Sequence, residues 1–295
     1  MEPHFRSVTS PGVSGDANPV NACAYAKETQ AQCGAIAKQA AETRSQREKA
    51  GSQNRGRGRC FEDRKDKSSG RRGLMPSVTV VCISDTHELH REVDLPAGDL
   101  LLHAGDFTMF SKSLAAIEDF NDWLGEHPHR AVATPGNHEF FLEADPRRRS
   151  LLTNATVLID EAVEVMGLKI WGSPVTPLYG TAFGRSSAED RVALYKTIPP
   201  DTDILLTHGP PYGILDCPPG TDTHTGCREL LEAVLKLKPR LHLFGHVHGA
   251  YGMIDRGGTL FVNAALLRED GSPGNAPVTL RMPCSRERRR PNWKR

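Results

Sequence analysis

Leucine is missing from the first 73 residues of this 295-residue chain, and the first one is Leu74. A segment without leucine can bury little core. Its Ala, Gln, Ser, Gly and Arg content is that of chains that stay disordered. No stretch approaches the ~18 consecutive apolar residues of a membrane-spanning helix, so no membrane partner is expected. No apolar h-region opens the chain, and Glu2 and Asp16 interrupt a transit-peptide reading. No C-x-x-C occurs among the seven cysteines, which are Cys23, Cys33, Cys60, Cys82, Cys217, Cys227 and Cys284. The odd count and the spacing suggest neither a disulfide framework nor a cysteine zinc site. A reducing, cytoplasmic setting is the expectation, with the nucleus open through the basic termini. No internal repeat is present.

Positive charge is scarce in the middle. Residues 1–73 carry a net +6, residues 284–295 a net +5, and residues 74–283 a net −10. Such a centre does not suit a nucleic-acid grip, which needs a basic surface. It does suit the collection of cations. The division gives three parts: a disordered basic extension (1–73), a folded domain (74–283) and a basic tail (284–295). The tail reads as a solvated terminus in preference to a nuclear-localisation patch.

What is present from Leu74 onward is a series of short apolar runs. Val78–Ile83 is continuous and β-branched, which predicts a strand buried on both faces. Further strands are expected at Leu100–His103, Ala131–Thr134, Thr156–Ile159, Leu168–Trp171, Ile204–Thr207, Leu241–Phe244, Leu260–Val262 and Val278–Leu280. Asp160–Gly167 reads as a hairpin between two of them. Helical spacing marks Ser113–Leu124 and Cys227–Leu237, the latter with Thr225 as N-cap. Strands alternating with helices predict one layered α/β domain with mixed sheets.

Five of these strands end in the same kind of text. Ser84-Asp85-Thr86-His87 follows the first, and Ala104-Gly105-Asp106 the second. Pro135-Gly136-Asn137-His138-Glu139, His208-Gly209-Pro210 and Gly245-His246-Val247-His248 follow the others. Ligands in open α/β sheets bind beyond the carboxyl ends of strands, so these segments can converge. The set of Asp, Asn and His without a thiolate suits Mn, Fe or Zn. Seven ligands exceed one tetrahedral ion and suffice for two that share a carboxylate.

The set D-x-H, G-D, G-N-H-E, H-G and G-H-x-H resembles the calcineurin-like metallophosphoesterases. Asp99–Thr108 (DLLLHAGDFT), Phe120–Leu124 (FNDWL), Asp203–Gly213 (DILLTHGPPYG), Gly226–Val234 (GCRELLEAV) and Pro239–Gly252 narrow the likeness to the metallophosphoesterase-domain-containing phosphodiesterases. The likeness covers about residues 76–282. It implies a four-layer α/β fold, with two mixed sheets packed face to face and flanked by helices. It also implies two divalent ions. Asp85, His87 and His248 resemble ligands of the first, and Asn137, His208 and His246 ligands of the second. Asp106 resembles the bridging carboxylate, and His138 the catalytic histidine facing the phosphate.

The expected activity is hydrolysis of a small phosphodiester or nucleotide, cyclic nucleotides included, by in-line attack of a metal-bridging hydroxide. Protein phosphatases of this pattern follow G-D with V-D-R-G, whereas Phe107-Thr108-Met109 stands here, so phosphomonoester hydrolysis ranks below. A nuclease or an inactive scaffold ranks lower still. Other residues carry lesser expectations. His103 and His242 read as core or supporting histidines. His224 sits at a helix start suited to an anion, and Cys227 could be an activated thiol there. Phe140 and Phe141 read as packing, and Arg147–Arg149 as a solvated face. Arg185 or Arg228 could reach a substrate.

Overall fold

The computed structural model describes residues 77–110 and 113–284. The expectations placed on residues 1–73 and 285–295 lie outside the described residues. Among the described residues, eleven strands and four α-helices follow in chain order. They are β1 (Ser77–Ile83), β2 (Leu100–His103), α1 (Leu114–Gly125), β3 (Arg130–Ala133), α2 (Phe140–Ala144), β4 (Ala155–Val157), β5 (Glu161–Val165) and β6 (Leu168–Ser173). Then come α3 (Ala188–Tyr195), β7 (Ile204–Thr207), α4 (Arg228–Leu237), β8 (Leu241–Phe244), β9 (Gly252–Arg256), β10 (Thr259–Asn263) and β11 (Val278–Pro283).

The strands form two mixed sheets, of order β11-β1-β2-β3-β4 and β5-β6-β7-β8-β10-β9. β1 to β4 run parallel, with β11 antiparallel at the edge. β6, β7, β8 and β10 are parallel, with β5 and β9 antiparallel at the two edges. Side chains alternate between the faces of a strand. In β1, Val80 and Cys82 point between the sheets, where they meet Leu100, Leu102, Ile204, Leu206, Leu241 and Leu243. Val81 and Ile83 face outward onto Ile117, Phe120, Trp123 and Leu124 of α1. Across the second sheet, Leu205, Phe244 and Phe261 pack on Leu194 and Tyr195 of α3 and on Leu230 and Val234 of α4. The layers are therefore helix, sheet, sheet, helix. Burial on both faces is why these strands read as unbroken apolar runs.

The hairpin differs from its expected form. β4 and β6, the strands flanking Asp160–Gly167, belong to different sheets. The true hairpin joins β5 to β6 through Met166 and Gly167, both at positive φ. Asp160, also left-handed (φ 58°), turns the chain from one sheet into the other. The helix α4 starts one residue later than expected, with Cys227 in the N-cap position. The Thr225 hydroxyl instead donates to the Asp216 carbonyl at 2.7 Å. Arg147–Arg149 lie in a 3₁₀ turn from Pro146 to Leu151 that buries no residue, as the solvated reading expects. Among the described residues, no helix is long and apolar enough to cross a membrane.

The two sheets are joined where the functional text begins. Beyond β1, Ser84 bridges to Ala265 beyond β10, with hydrogen bonds Ser84 N–Ala264 O and Leu266 N–Ser84 O, each 2.9 Å. The inter-sheet layer is the main apolar reservoir. Leu206→Ala, in its middle, should cost about 2–5 kcal/mol by loss of burial plus a cavity. Leu235→Ala, at a half-exposed position of α4, should stay within about 0.5 kcal/mol. Urea unfolding of the two variants checks this, and equal losses would contradict the layer assignment.

Candidate metal centre

The five strand-end segments meet at the seam. Three of them leave their strands through left-handed conformations, at Asp85 (φ 55°), His87 (φ 42°), Asp106 (φ 55°) and His246 (φ 70°). Non-glycine residues avoid this region, and its use at several functional positions is typical of sites held by their surroundings. Two glycines make room. A Cβ on Gly245 would fall 1.9 Å from Asp85 Oδ2, and one on Gly136 would fall 2.2 Å from Asp106 Oδ1.

Asp85, His87 and His248 offer donor atoms within 4.8 Å of one another, and so do Asp106, His208 and His246. A third overlapping group, His87, Asp106 and His138, joins them. His248 Nε2 lies 3.4 Å from Asp85 Oδ1 and 3.2 Å from His87 Nε2. Asp106 Oδ2 lies 3.3 Å from His208 Nε2, 3.7 Å from His138 Nε2 and 3.9 Å from His87 Nε2. Asn137 Oδ1 accepts from His208 Nε2 at 2.8 Å and from His246 Nδ1 at 2.7 Å. All eight residues singled out from the sequence are thus neighbours.

The orientation of the rings is the test of fit for a metal. His208 Nδ1 donates to Ala104 O (2.9 Å), His248 Nδ1 to Arg268 O (3.2 Å) and His87 Nδ1 to Thr108 O (3.3 Å). A carbonyl can only accept, so each Nδ1 holds a proton and each Nε2 turns to the centre. Metal-binding histidines are oriented in this way. The donors present therefore fit divalent cations. The backbone supports the carboxylates: His246 N–H donates to Asp85 and His138 N–H to Asp106 Oδ1, the latter at 2.9 Å.

The charges are set by burial and by one another. Burial pushes the Asp106 carboxyl up, but His138, His208 and His87, all protonated at the acid pH where it titrates, outweigh it and hold it well below the usual range. Asp85 is likewise lifted by burial, but its His248 hydrogen bond together with the charges of His248 and His208 outweighs this and holds it low. Burial depresses His208, but the Asp106 carboxylate overcomes this and lifts the imidazole to about 9. Burial lowers His87 and His246 to about 4 and His138 to about 3. Without a cation, two anionic carboxylates face a protonated His208, while three rings stay neutral with lone pairs available.

Two neighbours were not anticipated. Glu139 is fully buried, and its carboxylate accepts from Asp106 N (3.0 Å), Thr108 N (2.8 Å), Thr108 Oγ1 (3.0 Å) and Gly136 N. It ties the Asp106 loop to the Asn137 loop. Burial and the nearby Asp106 charge raise it to about 8. The signal was its place inside G-N-H-E. Phe110 stacks on His138, with ring centroids 3.6 Å apart. It stands in the loop after Asp106, with no periodic pattern to mark it.

The lesser candidates sort cleanly. His103 supports the site from beneath, with Nε2 3.0 Å from Thr86 Oγ1 and Nδ1 accepting from Gly105 N at 3.2 Å. His242 is core, 2.9 Å from Thr207 Oγ1. Cys227 is the opposite of an activated thiol, since burial pushes it up. Arg185 is held by Asp160 at 2.8 Å, and Arg228 lies on the Tyr212 ring, 3.6 Å from its centroid. His224 pairs with Asp216 at 2.8 Å. Phe141 packs against the outer cluster of the first sheet, and Arg148 covers its ring.

Two packed mixed sheets with Asp and His side chains converging at their joined edge define a metal-dependent phosphoesterase. Residues 78–250 match the family model for calcineurin-like phosphoesterase, and the chain belongs to that family. A UPF0046 protein of Caenorhabditis elegans is 38% identical over 224 residues, covering 70% of this chain and 76% of that one. Metallophosphoesterase domain-containing protein 1 of Homo sapiens is 36% identical over 233 residues, covering 70% and 71%. The Mus musculus protein of the same name matches equally.

The glycine contacts yield a direct check. Gly245→Ala must displace the Asp85 carboxylate. It should lower the melting temperature by an overpacking loss of about 1–3 kcal/mol and reduce bound divalent metal. Gly209→Ala, where the nearest atom is an ordinary 3.4 Å away, should change neither. Elemental analysis and thermal melts of both proteins decide. Full metal content in Gly245→Ala would contradict the tight packing around Asp85.

Proposed function

We propose that the chain is a binuclear phosphodiesterase of small substrates, its catalytic domain running from 74 to 283 between the two basic extensions. Asp85, His87 and His248 would hold one divalent ion and Asn137, His208 and His246 the other, with Asp106 the carboxylate they would share. Mn, Fe or Zn fits this mixed nitrogen and oxygen set. Ions held there would supply Lewis acidity toward a phosphoryl group and a water nucleophile at neutral pH.

The chain's own residues do the rest. Asp106 supplies the shared negative charge and is kept ionised by its histidines. His138 sits at the rim of the pair with its backbone tied to Asp106 and its ring stacked on Phe110. Its buried Nδ1 has no hydrogen-bond partner among the described residues. That ring is available to a phosphoryl oxygen and to the leaving oxygen, donating a hydrogen bond to one and a proton to the other. A bound phosphate anion raises the ring's proton affinity, which favours the second role.

The observation that carries the diester reading is Phe107. The residue after the bridging carboxylate is fully buried and stacked on Phe120, with centroids 4.4 Å apart. A monoester dianion is usually gripped by an arginine fork. No arginine stands in Phe107-Thr108-Met109, the stretch that follows Asp106 and that Phe107 commits to the core, while Arg185 and Arg228 are engaged elsewhere. A diester monoanion matches a site with two dications, two carboxylates and a nucleophile of charge −1. The acidic middle of the sequence favours a small diester or nucleotide over a nucleic acid.

The test compares kcat/KM for bis-p-nitrophenyl phosphate and p-nitrophenyl phosphate on the same manganese-loaded protein. The diester should be preferred by at least about tenfold, which is 1.4 kcal/mol of differential transition-state binding. Preference for the monoester would overturn the diesterase reading.

A further inference from the structure

A second convergence of unlike donors lies in the connection from β7 to α4, apart from the strand-end cluster. Asp216 Oδ1, Cys217 Sγ and His224 Nδ1 all lie within 4.8 Å of one another. The His224 nitrogen is 2.8 Å from Asp216 Oδ1 and 3.0 Å from Cys217 Sγ. The thiol is 3.9 Å from the same carboxylate oxygen.

The frame around them is fixed. Asp216 is buried, and its other oxygen accepts the N–H groups of Gly213 (3.0 Å) and Gly226 (2.9 Å). Its backbone carbonyl accepts from Thr225 N (3.2 Å) and Thr225 Oγ1 (2.7 Å). The carboxylate thus ties the start of the loop to its end and aims Oδ1 at the histidine. The loop is braced in turn against the His248 turn. Asn263 Nδ2 donates to both Leu215 O (3.3 Å) and Val247 O (2.9 Å).

The geometry distinguishes two chemistries. A nucleophilic Cys-His-Asp relay needs the thiol and the carboxylate on different ring nitrogens, so that the proton can pass through the imidazole. Here one nitrogen, Nδ1, faces both. Three donors aimed at one point, with Nε2 left outward, are the arrangement of a chelate. The surrounding charge points the same way. After a contribution from burial, the carboxylates of Asp216 and Asp222 push the Cys217 thiol up. A cation among these groups removes that repulsion.

We propose that Asp216, Cys217 and His224 form a separate site for one borderline-soft divalent cation, with zinc the best match to a sulfur, nitrogen and oxygen set. Binding releases the thiol proton to solvent and shifts the imidazole proton from Nδ1, where the Asp216 carboxylate accepts it, to Nε2, so that Sγ, Nδ1 and Oδ1 become ligands and water completes the shell. The site would clamp the loop against the turn that carries His248.

The strand-end cluster contains no sulfur donor, so a thiolate-to-cobalt charge-transfer band in the near ultraviolet reports the second site alone. Reduced full-length protein titrated with Co²⁺ should develop this band. Cys217→Ser and His224→Ala should lose it. A variant with Cys23, Cys33, Cys60 and Cys284 all changed to Ser should keep it. After dialysis against Zn²⁺, Cys217→Ser should hold one ion per chain fewer than the unaltered protein. The melting temperature of Cys217→Ser without metal should be unchanged, since Cys217 is partly exposed. If Cys217→Ser fails to fold, His224→Ala carries the same expectation. A missing band in the unaltered protein, or a band that persists in Cys217→Ser, overturns the proposal.

Discussion

The Asp106 carboxylate is surrounded by the rings of His87, His138 and His208, with a buried glutamate behind its loop. Every layer of the fold serves to bring those partners together. β2 delivers Asp106, β1 delivers His87, β3 delivers His138, and β7 crosses from the other sheet with His208. A carboxylate buried this deeply is stable only with its charge matched. Protonated His208 supplies part of that match without metal, and divalent ions supply it more fully. The apolar layer between the sheets fixes the positions from which these charges meet.

Glu139 shows how the chain holds the arrangement from behind. Its carboxylate collects backbone N–H groups from the Asp106 and Gly136 turns, so one side chain fixes two strand exits at once. Gly136 and Gly245 do the complementary work by leaving space where a methyl would strike Asp106 or Asp85. The left-handed backbones at Asp85, His87, Asp106 and His246 are carried by this support. The same logic of a backbone-anchored carboxylate reappears at Asp216, where it frames a different set of donors.

Much of this was legible in the sequence because the central strands are buried on both faces. Val78–Ile83, Leu100–His103, Ile204–Thr207 and Leu241–Phe244 announce themselves as unbroken apolar runs, and the ligand types follow them directly. The edges of the second sheet were not legible. β5 is interrupted by Glu161 and Glu164, and β9 exposes most of Gly252–Arg256. Neither carries the apolar continuity of a central strand, so β5 was folded into a misplaced hairpin and β9 was passed over. α3 (AEDRVALY) buries a narrow stripe and shows weak periodicity. Glu139, Phe110 and the Asp216–Cys217–His224 group act through contacts between distant or polar loop residues, which periodicity does not encode. Cys227 stands at a helix start, which by itself lowers a thiol's pKa, whereas burial beside α4 raises it.

The claim on which the account rests is that Asp106 bridges two ions while His138 faces the substrate. Manganese content per chain, measured by elemental analysis on Asp106→Asn and His138→Ala, tests it most directly. An amide cannot replace the shared negative charge, so Asp106→Asn should retain little or no bound manganese. His138→Ala should keep the full complement of two ions while losing turnover. Equal manganese loss in the two variants, both folded by circular dichroism, would contradict the division of roles.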